Sequence, residues 1–207
     1  MALSLDPVRT AVLALHWQVN VIRPEGFFGP MLAEPVARSG VLARARDFHA
    51  RARSAGVPLV FTRFTVPDGA AGLVRNTGFM RAVAEAQRAF RPDAPGAALL
   101  PEAGFDERAD EVSDNQRLSA LAGTDLPLRL TKRGVDTLLV TGVATNLTVE
   151  QTARQATDLG LHVYVVSDCV AAADLDVHAA SLANLALVTE GCRASHELLA
   201  ALPSSRP

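Results

Sequence analysis

The run Thr10-Ala11-Val12-Leu13-Ala14-Leu15 is apolar along its length rather than at every second position, so a strand formed from it has to be covered on both faces. Three further runs of the same kind follow, Val57 to Phe64, Val135 to Thr141 and Leu161 to Ser167. Segments with helical spacing lie between and after them. Val41 to Ala55 carries Leu42, Ala45, Phe48 and Ala52 on one side and is closed by Gly56; Gly78 to Phe90, Thr124 to Arg133, Asn146 to Leu159 (ended by Gly160) and Val177 to Thr189 complete the set. Buried-type strands alternating with helices predict an α/β fold, a three-layer α/β/α arrangement around a mostly parallel, Rossmann-like sheet of about six strands. A further strand near Val112 has only a faint pattern. Val19 to Gly40 reads as irregular, because Pro24, Gly26, Gly29, Pro30 and Pro35 interrupt it.

A chain of 207 residues without a linker, repeat or low-complexity tract is expected to fold as a single domain over residues 1–207. With 20 Lys and Arg scattered among 22 Asp and Glu, the charge gives no basis for binding nucleic acid or an anionic membrane. No apolar run approaches the roughly 20 residues that span a bilayer, and Met1 to Thr10 lacks the features of a signal peptide. Cys169 and Cys192 are the only cysteines, too few for a disulfide framework and without zinc-site spacing, so a cytoplasmic location is expected.

In sheets of this type, ligands bind at the carboxyl ends of the strands. Three segments therefore become candidates: Leu15 to Gln18, Arg63 to Thr65, and Gly142 to Asn146. None carries a phosphate-binding glycine motif, so no nucleotide cofactor is expected. The stretch from Gly142 to Glu150 carries the strongest signal. A glycine ends a buried strand, and Thr145 or Asn146 can cap the helix that follows, whose first N–H groups would stabilise negative charge in the cleft. An ordinary capped helix is the alternative reading.

Three blocks in this order resemble the isochorismatase-like cysteine hydrolases. The first is an apolar strand followed by Gln18; the second holds Arg117, Ser119, Ala120, Gly123, Thr124, Asp125 and Leu126; the third runs from Arg133 to Asn146. Val163 to Asp168 matches that family's next strand, and the likeness extends from about Thr10 to Leu202. The resemblance implies a hydrolase of small molecules, commonly a homo-oligomer (dimer or tetramer), with a cis peptide between Val143 and Ala144 that offers N–H groups to an oxyanion. It also implies an aspartate, a lysine and a cysteine as catalytic residues. At those positions this chain has His16, Asn115 and Thr148. The metal cluster of nicotinamidase relatives has no counterpart at Arg63-Phe64-Thr65, so no metal is expected.

Imidazole can serve as acid or base where carboxylate and thiol are missing, which makes His16 the candidate for proton transfer. Asn115 is placed to orient it, and Thr148 is read as a small polar residue of the first helical turn rather than a nucleophile. Trp17, Gln18, Asn20, Phe64, Val143 and Ala144 are the expected substrate contacts. Phe27, Phe28 and Phe79 are read as pocket, core or subunit contact. Cys169 is expected to be a buried small hydrophobe. Two functions stay open: a non-thiol hydrolase acting on a small cyclic, carboxylate or amide substrate, and a catalytically inactive binding or partner subunit of the same fold.

Overall fold

A computed structural model describes residues 3–70 and 72–203. Strand β1 (Thr10–Leu15) is followed by the short helix α1 (Val19–Ile22), then α2 (Gly29–Ser39) and α3 (Val41–Ser54). β2 (Leu59–Phe64), α4 (Gly78–Glu85), β3 (Glu111–Asn115), α5 (Leu126–Lys132) and β4 (Thr137–Val143) come next. A π-helical turn (Thr145–Val149) leads into α6 (Glu150–Asp158), and β5 (His162–Ala171), α7 (Leu175–Val188), β6 (Gly191–Arg193) and α8 (Ser195–Ala201) follow. All five strand pairs are parallel and the order is β3-β2-β1-β4-β5-β6.

The continuous apolar strands do what their pattern requires. From β1, Val12 and Ala14 face one core with residues of α1, α2, α3 and α8, while Ala11, Leu13 and Leu15 face a second with residues of α5, α6 and α7. Both faces of the sheet are thus covered, as a parallel sheet needs. A third cluster of Phe64, Val66, Met80, Val83 and Phe90, with Phe28 and Phe79 against it, caps the carboxyl end of β2.

One stretch differs from the sequence reading, and the faintly patterned strand near Val112 is present. The segment 19–40 is mostly helical, because Pro30 sits in the first turn of α2 where no N–H bond is lost, and Leu32 and Val36 give the helix a buried side. The faint third strand is β3, faint because it is an edge strand whose Glu111 and Asp114 pair with Arg129, Arg133 and Arg63 at the surface.

The strand order reverses between β1 and β4: from β1 the chain steps through β2 to β3 at one edge, and from β4 through β5 to β6 at the other. That topological switch point is where a crevice opens in such sheets. Gly142 makes it possible. Its φ is 138°, and a Cβ there would stand 2.4 Å from the Leu15 carbonyl oxygen, so only glycine lets the ends of β1 and β4 approach.

Candidate active site

His16 leaves β1 with φ 55°, the only non-glycine residue among those described with positive φ. Histidine tolerates this left-handed conformation better than most residues, at a cost of roughly 1 kcal/mol. The turn aims the ring between the ends of β1 and β3 and leaves it buried. There the His16 imidazole and Asn115 meet, Nε2 to Oδ1 at 3.0 Å, while Asn115 Nδ2 donates to the Arg117 carbonyl at 2.6 Å. The second bond fixes the amide orientation. Asn115 Oδ1 is the acceptor, His16 Nε2–H is the donor, and Nδ1 is left with its lone pair. Burial pushes the His16 pKa down to about 4, with the Asn115 hydrogen bond opposing, so the ring is neutral at pH 7.

His16 lines a cavity of about 40 Å³ that opens to the surface. Thr148 lines it from the π-helical turn, with its Oγ1 buried and without a hydrogen-bond partner among the described residues. Phe64, Val143 and Ala144 form further wall, and Val143–Ala144 is a cis peptide. The rest is apolar, including Phe28, Leu32, Phe79 and Leu147. Phe28 and Phe79 stack at 5.4 Å, and Phe64 stands edge-on to His16 at 5.9 Å.

The helix start differs from the expected one. Ala144, not Thr145 or Asn146, occupies the N-cap, and its carbonyl accepts from both Leu147 N and Val149 N at 3.2 Å. Thr145 Oγ1 instead reaches His178 Nδ1 at 2.8 Å, and Ser181 Oγ donates to Glu150 at 2.6 Å, tying the turn to α7.

Of the residues singled out from sequence, the structure brings His16, Asn115, Thr148, Phe64, Val143 and Ala144 to one place. It puts Trp17, Gln18 and Asn20 elsewhere. Trp17 is fully buried, its Nε1–H donating to Thr141 Oγ1, whose hydroxyl serves His49 Nε2; His49 Nδ1–H then donates to the Ala103 carbonyl. Gln18 holds the end of β2, accepting from Phe64 N at 2.7 Å and donating to the Phe64 and Ala97 carbonyls, so it reaches the cavity only through the Phe64 backbone. Asn20 donates to the Ala89 carbonyl at 2.7 Å and ties a loop down. A strand end lists its residues in order but does not say which face each side chain takes, and the left-handed turn at His16 sends the next residues away from the cavity.

Phe28 and Phe79, by contrast, are cavity wall. For Phe28 the signal was its helical spacing with Leu32 and Val36, which the intervening prolines obscured. Cys169 is fully buried in the core, and burial raises its thiol pKa well above the ordinary value, so it is no thiolate nucleophile.

A model of the isochorismatase domain matches residues 10–196. The chain is 31% identical over 209 residues to the uncharacterized isochorismatase family protein YecD of Escherichia coli O157:H7, covering 97% of this chain and 100% of that one. It is 28% identical to the ureidoacrylate amidohydrolase RutB of Methylobacterium radiotolerans over 88% of this chain and 75% of that one. Among solved structures, a cysteine hydrolase from Pseudomonas syringae pv. phaseolicola 1448A superposes with a TM-score of 0.84 at 25% identity, covering 100% of this chain and 99% of that one.

Proposed function

The chain belongs to the isochorismatase family, and we propose that it is a hydrolase of that family that works without a thiol, with His16 as the base and Thr148 and the turn after β4 completing the site. One observation carries the reading. A neutral imidazole, its tautomer locked by Asn115, shares a cavity with an unpartnered buried hydroxyl at the point where the cysteine of the resembled hydrolases would stand.

In this scheme water sits against His16 Nδ1 and Thr148 Oγ1. As its oxygen bonds to the carbonyl carbon of a small cyclic or amide-type substrate, its proton passes to Nδ1. Negative charge gathers on the carbonyl oxygen, against the N–H groups of the helix start. When the tetrahedral intermediate collapses, the bond to the leaving group breaks and the proton on Nδ1 goes to that group. Asn115 Oδ1 holds the imidazolium through Nε2–H meanwhile.

The test is a hydrolase panel of small amides and esters. Activity that survives iodoacetamide and falls at least a hundredfold in His16→Asn supports the scheme; asparagine is chosen because it tolerates positive φ. Activity abolished by alkylation and tied to Cys169 refutes it.

A second reading, an inactive ligand-binding member of the family, draws on a different observation. The cavity is small and walled by Phe28, Phe64 and Phe79, and a base with a pKa of about 4 is a weak one. Saturable binding without turnover across the panel favours it.

We further propose that the protein is a cytoplasmic homo-oligomer, paired through α7. Leu175 and Leu187 are 73% and 83% exposed at the two ends of a face whose middle is alanine, and Asp176 is the helix's only acidic or basic side chain apart from His178. Such a face pairs with its own antiparallel copy, large ends against large ends. Sedimentation at micromolar concentration checks this, with Leu187→Glu expected to shift the protein to monomer.

A further inference from the structure

We infer that the ligand of this cavity is an uncharged molecule that brings a hydrogen-bond donor, and that carboxylates are rejected; the inference rests on the proposed site and narrows its substrate class. One chain of hydrogen bonds fixes the polarity of the site. The Arg117 carbonyl can only accept, so it orients the Asn115 amide. Asn115 Oδ1 can then only accept, so His16 presents Nε2–H to it. What remains on the ring is an acceptor, Nδ1, without a partner among the described residues. A ligand that meets it with a lone pair or a carboxylate oxygen sets acceptor against acceptor in a buried place, at the cost of a desolvated group without a partner.

No cation is at hand to offset it. Of the twelve residues lining the cavity only His16 and Thr148 are polar, and no Arg or Lys is among them. A buried carboxylate would have no cation to pair with. Thr148 Oγ1 is the second observation that points to a ligand. Thr148 is 3% exposed and lines the cavity, its Oγ1 has no partner among the described residues, and a hydroxyl can donate to the same ligand atom whose hydrogen goes to Nδ1. About 40 Å³ of inner space takes a hydroxyl or an N–H group, not a whole ring, which a cavity of ~150 Å³ would hold. The ligand body therefore lies at the mouth between Phe28, Phe79 and Met31.

The experiment measures binding of three probes of one shape by calorimetry or ligand-observed NMR at pH 7: phenol (donor present), anisole (donor removed) and benzoate (charge added). Phenol is expected to bind at least tenfold more tightly than the other two. Asn115→Asp places a carboxylate on Nε2–H, makes the ring an imidazolium and turns Nδ1 into a donor, so the benzoate-to-phenol affinity ratio is expected to rise at least tenfold. Thr148→Val, which keeps the shape, is expected to weaken phenol about fivefold, and serves on its own if Asn115→Asp does not fold. Benzoate binding as tightly as phenol, anisole equalling phenol, or phenol failing to bind overturns the inference. Turnover separates the two claims. Discrimination in binding without hydrolysis of any uncharged amide or ester sinks the hydrolase reading and leaves this one standing, whereas hydrolysis of carboxylate substrates does the opposite.

Discussion

Lowering the pH from 7 to 4.5 should destabilise this protein by an amount that two histidines account for. His16 and His49 are both buried, and burial takes each from an ordinary 6.5 down to about 4. His49 is held by the Ala103 carbonyl, which opposes that shift without overcoming it. In the unfolded chain both rings take up a proton as the pH falls through 6.5, whereas in the folded state they resist until about 4. The unfolded state thus binds more protons between those limits, and stability drops as the pH falls through the window. For a group moving from 6.5 to about 4, the loss between pH 7 and 4.5 is on the order of 2 kcal/mol, so roughly 4–5 kcal/mol for the pair. Typical stabilities of about 5–15 kcal/mol make that loss easy to see. His178, lowered by partial burial, adds in the same direction. Urea unfolding at half-unit steps of pH measures it, and His16→Asn should remove about half of the drop while leaving contributions from carboxylates in place. Stability that is flat from pH 7 to 5, or a drop that His16→Asn leaves unchanged, would refute the reasoning.

Gly142→Ala is expected to cost about 3 kcal/mol or more, because the new Cβ meets the Leu15 carbonyl at 2.4 Å and φ is 138°; thermal unfolding reads it. Arg53→Met should destabilise by about 3 kcal/mol, since the Asp110 side chain is 1% exposed and its carboxylate would stay buried without its cation; urea unfolding reads it. Gln18→Leu breaks three bonds to the Phe64 and Ala97 backbone and should lower both stability and ligand affinity without touching the cavity, as a parallel unfolding and binding series would report.

Much of the fold was legible because its strands are buried on both faces, and a continuous apolar run such as Thr10 to Leu15 has few other ways to be satisfied. Length was legible less well. β5 runs on from Ser167 to Ala171 past an irregularity in its pairing with β4, and the three-residue β6 at the other edge has no pattern to find. The convergence of His16 and Asn115 followed from strand ends, since β1 and β3 both stop at the same side of the sheet. The direction of each side chain did not. Trp17 lies beside His16 in sequence and on the far side of it in space, because one left-handed residue intervenes, and positive φ at a histidine leaves no mark in composition or periodicity. The cavity wall contributed by Phe28 comes from a segment whose prolines and glycines look like loop until Pro30 is seen as the first turn of a helix.

The central claim is that His16 is a neutral ring with its lone pair on Nδ1 toward the cavity. Nitrogen-15 NMR of the imidazole, assigned by comparison with His16→Asn, tests it most directly. The account predicts a protonated Nε2 and a bare Nδ1 at pH 7, with titration near pH 4. A proton on Nδ1 at pH 7, or titration near 6.5, contradicts it.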